Sequence, residues 1–82
     1  MERLDEKYIR MIRQIYTKGK RLELKLKRMD DPQAPPIGTR GTVIGVDDAG
    51  RIMVDWDDGS RSNIAPFVDV FKLVEAWNRR DI

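Results

Sequence analysis

The spacing of apolar residues changes twice along the chain, and each change marks an element. Over residues 3–17, Leu4, Tyr8, Met11, Ile12 and Ile15 fall at i, i+4, i+7, i+8 and i+11, one helical stripe that Ile9 and Tyr16 widen. Arg3, Lys7, Arg10 and Arg13 lie elsewhere around that helix. Asp5 and Glu6 in its first turn and Lys18 at its end suit the dipole, and Gly19 is a natural stop. From Lys20 to Lys27 the period becomes two. Leu22, Leu24 and Leu26 alternate with Arg21, Glu23, Lys25 and Lys27, the pattern of a half-buried strand. In residues 29–36, Pro32, Pro35 and Pro36 forbid a ladder and predict a loop.

Residues 38–63 predict a meander. Gly41 to Val46 reads as a strand, with Thr42, Ile44 and Val46 on one face and Val43 and Gly45 on the other. Asp47-Asp48-Ala49-Gly50 is hairpin-turn chemistry, with glycine where a positive φ is needed. Arg51 to Trp56 returns, with Ile52, Val54 and Trp56 sharing a face opposite Arg51, Met53 and Asp55. Asp57-Asp58-Gly59-Ser60 repeats the turn, and Arg61 to Ile64 is a short fourth strand. Pro66 breaks the ladder, so Ala65 to Asp69 is expected to form a single 3₁₀ turn. Val70 to Val74 is the fifth strand, with Phe71 and Leu73 inward. The tail from Glu75 has one large apolar residue, Trp77, expected to pack on the helix or fray.

These elements predict a mainly β fold, a small five-stranded SH3-like barrel preceded by an amphipathic helix. A five-stranded OB-type barrel is the alternative, but it usually inserts a helix where this chain has only Asp57 to Ser60. At 82 residues the chain holds a single domain: helix 1–18, barrel 19–74, tail 75–82.

Composition narrows the chemistry. The sequence has no cysteine and no histidine, which removes disulfides, thiolate metal sites and His-based triads. The remaining acids fall in exposed turns, where a carboxylate has little cause to shift its pKa. A non-enzymatic protein without a cofactor is expected. The charge-interrupted N-terminal residues lack the apolar stretch of a secretory signal, and no apolar run approaches a membrane span, so a cytoplasmic setting and no membrane partner are expected.

The net charge of +2 hides an asymmetry. Residues 1–28 hold ten Lys/Arg and four Asp/Glu, whereas residues 29–82 hold six and ten. Lys18, Lys20, Arg21, Lys25, Lys27 and Arg28 cluster within eleven residues, with Arg21, Lys25 and Lys27 on the outward face of the first strand by alternation. One-sided cations are what phosphate contact requires, and with Arg40 they form a candidate nucleic-acid or partner surface. Lysines on an edge strand also simply block edge pairing.

Trp56 and Phe67 are candidate partner-binding aromatics. Trp56 reads as core by its face, or as part of a surface groove that Phe67 with Tyr8 or Tyr16 completes. Asp47, Asp48, Asp55, Asp57 and Asp58 are weighed as turn chemistry, as mimicry of nucleic acid, and as a hard-cation site. The last lacks the distal bidentate acid of a calcium loop, and no metal is expected. The helix stripe suits docking on its own domain, a homodimer seam or a partner.

Gly41-Thr42-Val43, Val46-Asp47-Asp48-Ala49-Gly50 and Val54-Asp55-Trp56-Asp57-Asp58-Gly59-Ser60 together resemble the signature of a small bacterial and phage domain, domain-of-unknown-function family 4314. Lys18 to Leu24 looks like its first strand and Phe67 to Val74 like its last, so the likeness covers residues 18–74 and leaves out the helix and the tail. Pro66-Phe67 stands where that family is expected to have a Pro-Gly step. The resemblance implies an SH3-like barrel and a phage or mobile-element setting, and it transfers no catalytic residue. The expected function is an interaction module, an adaptor or inhibitor acting on a host protein; the alternative is nucleic-acid binding through the basic first strand and helix.

Overall fold

Asp5 opens the only helix among the described residues. Its carboxylate accepts from the Lys7 amide at 3.0 Å, and α1 runs from Glu6 to Ile15. A computed structural model of the chain describes residues 5–26, 32 and 34–75. Leu4, Lys27, Arg28, residues 29–31 and 33 of the proline loop, and Trp77 lie outside the described residues. The helix is shorter than the stripe predicts. Gly19 does not end it but lies in the turn between α1 and the first strand, where Lys20 N–H donates to the Thr17 carbonyl at 3.1 Å.

Five antiparallel strands follow: β1 (Arg21–Leu26), β2 (Arg40–Val46), β3 (Ile52–Trp56), β4 (Arg61–Ile64) and β5 (Val70–Val74). They pair in the order β4-β3-β2-β1-β5. The mainly β fold with one N-terminal helix is therefore the observed one. Both hairpins are closed as their sequences predict. Gly50 N–H donates to the Asp47 carbonyl at 3.0 Å and Gly59 N–H to that of Trp56 at 3.0 Å. The two glycines take φ of 85° and 93°, which side chains resist.

Leu22, Leu24, Val43, Ile52, Val54, Trp56 and Ile64 form the core with Ile12 of α1, and Tyr16, Val46 and Phe71 pack at its margin. Two bulges correct the predicted faces. Val43 pairs with Val54 and Gly45 with Met53, so Ile44 is an extra residue in β2. One inserted residue inverts alternation, and Val46 turns inward beside Ile52 instead of sharing a face with Thr42. In β1, Leu24 pairs with Phe71 and Leu26 with Val70, which makes Lys25 the extra residue. Leu26 is accordingly 42% exposed and does not continue the Leu22/Leu24 row. Leu73, expected inward, lies beside buried Leu22 but stays 40% exposed because β5 is an edge.

The helix is also rotated from its predicted stripe. Ile9 and Ile12 are its buried residues, whereas Tyr8, Met11 and Ile15 are each more than two-fifths exposed. One flank meets the first hairpin, where Arg13 donates to the Asp47 carbonyl and pairs with Asp48, both at 3.4 Å. The other meets the turn before β5, where Tyr8 stands beside Phe67. Among the described residues, no helix is long and apolar enough to cross a membrane.

Candidate interaction surfaces

The basic first strand does not present a free row of cations. Arg21 lies on the outward face, in register with Thr42, yet it is buried. Its guanidinium donates to both carboxylate oxygens of Asp57, at 2.7 and 2.6 Å, and to the Thr42 hydroxyl at 3.1 Å. The hydrogen bonds from Arg21 hold the Asp57 carboxyl below the usual carboxylate range, and the same contact raises the guanidinium pKa. Arg21 is therefore a structural cation and not the accessible one that alternation suggests.

Glu23 takes up two further candidates. Lys25 Nζ lies 2.5 Å from one of its carboxylate oxygens and Arg40 Nε 3.2 Å from the other. Those hydrogen bonds, Lys25 first, hold the Glu23 carboxyl low, and the charge of Lys72 acts in the same direction. Register explains the meeting, since Glu23 stands opposite Arg40 on β2 and Lys72 on β5. Sequence reasoning missed this hub, because the cross-strand partners are distant in the chain. Lys18 and Lys20 are exposed, and neither side chain makes an ion pair among the described residues. The first strand thus offers a dispersed positive surface around one carboxylate.

The aromatic candidates separate. Trp56 is 4% exposed, and its indole N–H donates to the Ser62 hydroxyl at 2.8 Å. It belongs to the core and is not available to a surface groove. Phe67 is 62% exposed and Tyr8 45%, and their rings meet edge-on with centroids 6.2 Å apart. Tyr16 instead pairs with Phe71 at 5.4 Å. The position of Phe67 has a local cause. Ala65 N–H donates to the Asp69 carboxylate, while Asp69 and Val68 N–H groups donate to the Ala65 carbonyl, all within 3.0 Å. This clasp includes the predicted i to i+3 turn and holds Phe67 outward at its tip. No described non-glycine residue takes a positive φ, so Phe67 occupies the turn in an ordinary conformation.

The acidic turns are used by the fold. Asp47 accepts from the Ala49 and Arg51 amides at 3.0 and 2.8 Å, and Asp58 from the Ser60 amide and hydroxyl at 2.9 and 2.6 Å. The Ser60 bonds hold the Asp58 carboxyl low. Asp55 pairs with Arg61 at 2.6 Å, which raises the Arg61 pKa. Among the described residues, no three acids are grouped to hold a metal ion.

A shallow cleft between α1 and the first hairpin is lined by Glu6, Ile9, Arg10, Arg13 and Asp48. Its two arginines are matched by two acids, so it has no strong preference of charge. On the opposite flank of the helix the exposed surface is apolar: Tyr8, Met11, Ile15 and Phe67.

A family model described as domain of unknown function (DUF4314) matches residues 5–74. The match begins at the helix cap and not at residue 18, so α1 is part of the family's domain. No curated protein and no solved structure matches the chain.

Proposed function

Taking as premise that the chain belongs to the DUF4314 family, we propose that it is a non-enzymatic, SH3-like interaction module whose partner is a protein. The observation that carries this reading is the Tyr8–Phe67 pair, two half-exposed aromatic rings joined edge to face with Met11 nearby on the same helix flank. Exposed aromatics grouped beside apolar helix positions are the usual anchors of a protein interface. Lys7 lies 5.7 Å from the Tyr8 ring centroid. A partner with apolar side chains and an acid to meet Lys7 fits that surface best. On this reading the module is an adaptor or inhibitor of phage or mobile-element type that meets a host protein in the cytoplasm.

The test is capture of partners from host extract by the wild-type chain and by a Tyr8→Ala/Phe67→Ala double variant, with nuclease present. The expected result is a protein retained by the first and lost by the second, with the variant still folded and its melting temperature lowered by no more than the small cost of losing two half-exposed rings. Equal retention by both, or recovery of nucleic acid alone when nuclease is omitted, overturns it.

A second reading, nucleic-acid binding, is favoured by one observation: Lys18 and Lys20 are exposed and make no ion pair among the described residues. It predicts an affinity that falls linearly in log–log form with salt. It is weakened by the burial of Arg21 and by Glu23 within the cluster.

A further inference from the structure

The two edges of the sheet are defended unequally. β4 is four residues long and polar, and its Arg61 is tied to Asp55 of the neighbouring strand. β5 pairs only with β1, so the amides and carbonyls along its other side have no strand partner among the described residues. Its sequence, Val70-Phe71-Lys72-Leu73-Val74, contains no proline and a single charge. Edges are ordinarily blunted by charges, proline or bulges, and the β1–β5 irregularity places its extra residue in β1. Leu73 faces the core beside Leu22 yet remains 40% exposed, and Phe71 next to it packs at the core margin. The rim of the core is thus open along this edge.

We propose that β5 is a strand-addition site for an extended segment of a partner protein that carries an acidic residue beside Lys72 and apolar residues beside Phe71 and Leu73. Backbone pairing supplies affinity in this mode, and alternate side chains supply specificity. The preference for an acid follows from the local charge. Lys25, Arg40 and Lys72 share the single carboxylate of Glu23, which leaves positive charge in excess beside the edge. The same charge disfavours a second copy of the chain. Symmetric antiparallel pairing of two β5 strands places Lys72 against Lys72, and like charges directly opposite are destabilising. Pairing with β4 of another copy brings Arg61 and no carboxylate. The site extends the proposed interaction role to a surface separate from Tyr8 and Phe67.

The test is selection of a random twelve-residue displayed peptide library against the full chain, followed by titration of the enriched peptides with amide-exchange readout. Enriched sequences are expected to alternate apolar residues around an Asp or Glu, and their binding to slow exchange at Val70–Val74. Lys72→Ala is expected to weaken them about two- to fivefold, the size of one cross-strand charge pair. Leu73→Lys is expected to weaken them further; should it unfold the sheet, Lys72→Ala still decides. Tyr8→Ala and Phe67→Ala leave this binding unchanged, so the edge and the helix surface fail or succeed separately. No enrichment, enrichment without acids, protection confined to α1, or a dimer with β5 protected in the absence of peptide each overturns the proposal.

Discussion

The guanidinium of Arg21 and the carboxylate of Asp57 form a two-pronged bond, at 2.7 and 2.6 Å, that ties the first strand to the hairpin after the third. The Arg21 side chain is 6% exposed and that of Asp57 45%, so the arginine loses more hydration than its partner. Because the folded Asp57 carboxyl is held low by these bonds, its contribution is complete above the ordinary carboxylate pKa of about 4. It is lost as pH falls through the folded value. Glu23 and Asp58 are shifted the same way and add to the loss in the same window. The melting temperature should therefore hold from neutral pH to about 5 and fall below about 4. Asp57→Asn should lower stability at pH 7 by about 1–3 kcal/mol, discounted for the half-exposed acid, and should flatten the acid limb. Thermal melts of both proteins between pH 2 and 7 check this, and an unchanged acid limb contradicts it.

Local chemistry was legible in the residues, and long-range pairing was not. The spans of β4 and β5 and both hairpins follow from Asp and Gly positions and from short alternating runs. Alternation puts Arg21 on the face opposite Leu22 and Leu24, as the register does. Its burial depends on Asp57, 36 positions along the chain, which alternation does not register. Alternation assigns Leu26 and Val46 to the wrong faces, because a bulge is a property of two paired strands and not of either alone. The helix stripe held its period, but where the helix docks sets its buried centre, and that centre is Ile9 and Ile12. The sequence offers Phe67 as a surface aromatic with Tyr8 or Tyr16 beside it, and the fold selects Tyr8.

Gly41 is required by close approach and not by backbone angle. A Cβ there meets Val54 Cγ1 at 2.5 Å, Trp56 Cε3 at 2.8 Å and the Asp55 carbonyl at 2.9 Å. Leu22 and Trp56 flank it in register on β1 and β3, so none of these groups moves without opening the core. Gly41→Ala should cost about 1–3 kcal/mol or more through overpacking, read as a lower urea midpoint. Gln14→Ala, an alanine introduced at an exposed helix position, should be close to neutral. A Gly41→Ala midpoint equal to wild type contradicts the predicted clash.

Ser62 is a buried hydroxyl with one clear duty, accepting the Trp56 indole N–H at 2.8 Å. Ser62→Ala removes the acceptor and leaves that donor in a dry site. The expected loss is about 1–3 kcal/mol, the desolvation cost of an unsatisfied buried donor. Ser62→Thr keeps a hydroxyl and should recover part of it. Urea unfolding of the two variants, followed by far-ultraviolet circular dichroism, separates loss of the bond from loss of volume. Equal effects of Ala and Thr would show that the bond is not the cause.

Tyr8 and Phe67 face water over about half their surfaces, so removing either should disturb the fold little. Each single alanine variant is expected to cost about 1 kcal/mol or less. Their edge-to-face contact predicts a coupling of about 0.5–1 kcal/mol in a double-mutant cycle, since two rings in contact are not independent sites. This small structural cost is what separates an interface pair from a core pair. Trp56→Ala, by comparison, empties a buried site and should cost about 3–5 kcal/mol. Urea melts of the four proteins of the cycle, with Trp56→Ala as the reference, measure both quantities. If either single variant approaches the Trp56→Ala loss, the pair holds the helix to the sheet. Its exposure is then a by-product of that packing and not a surface kept open for a partner.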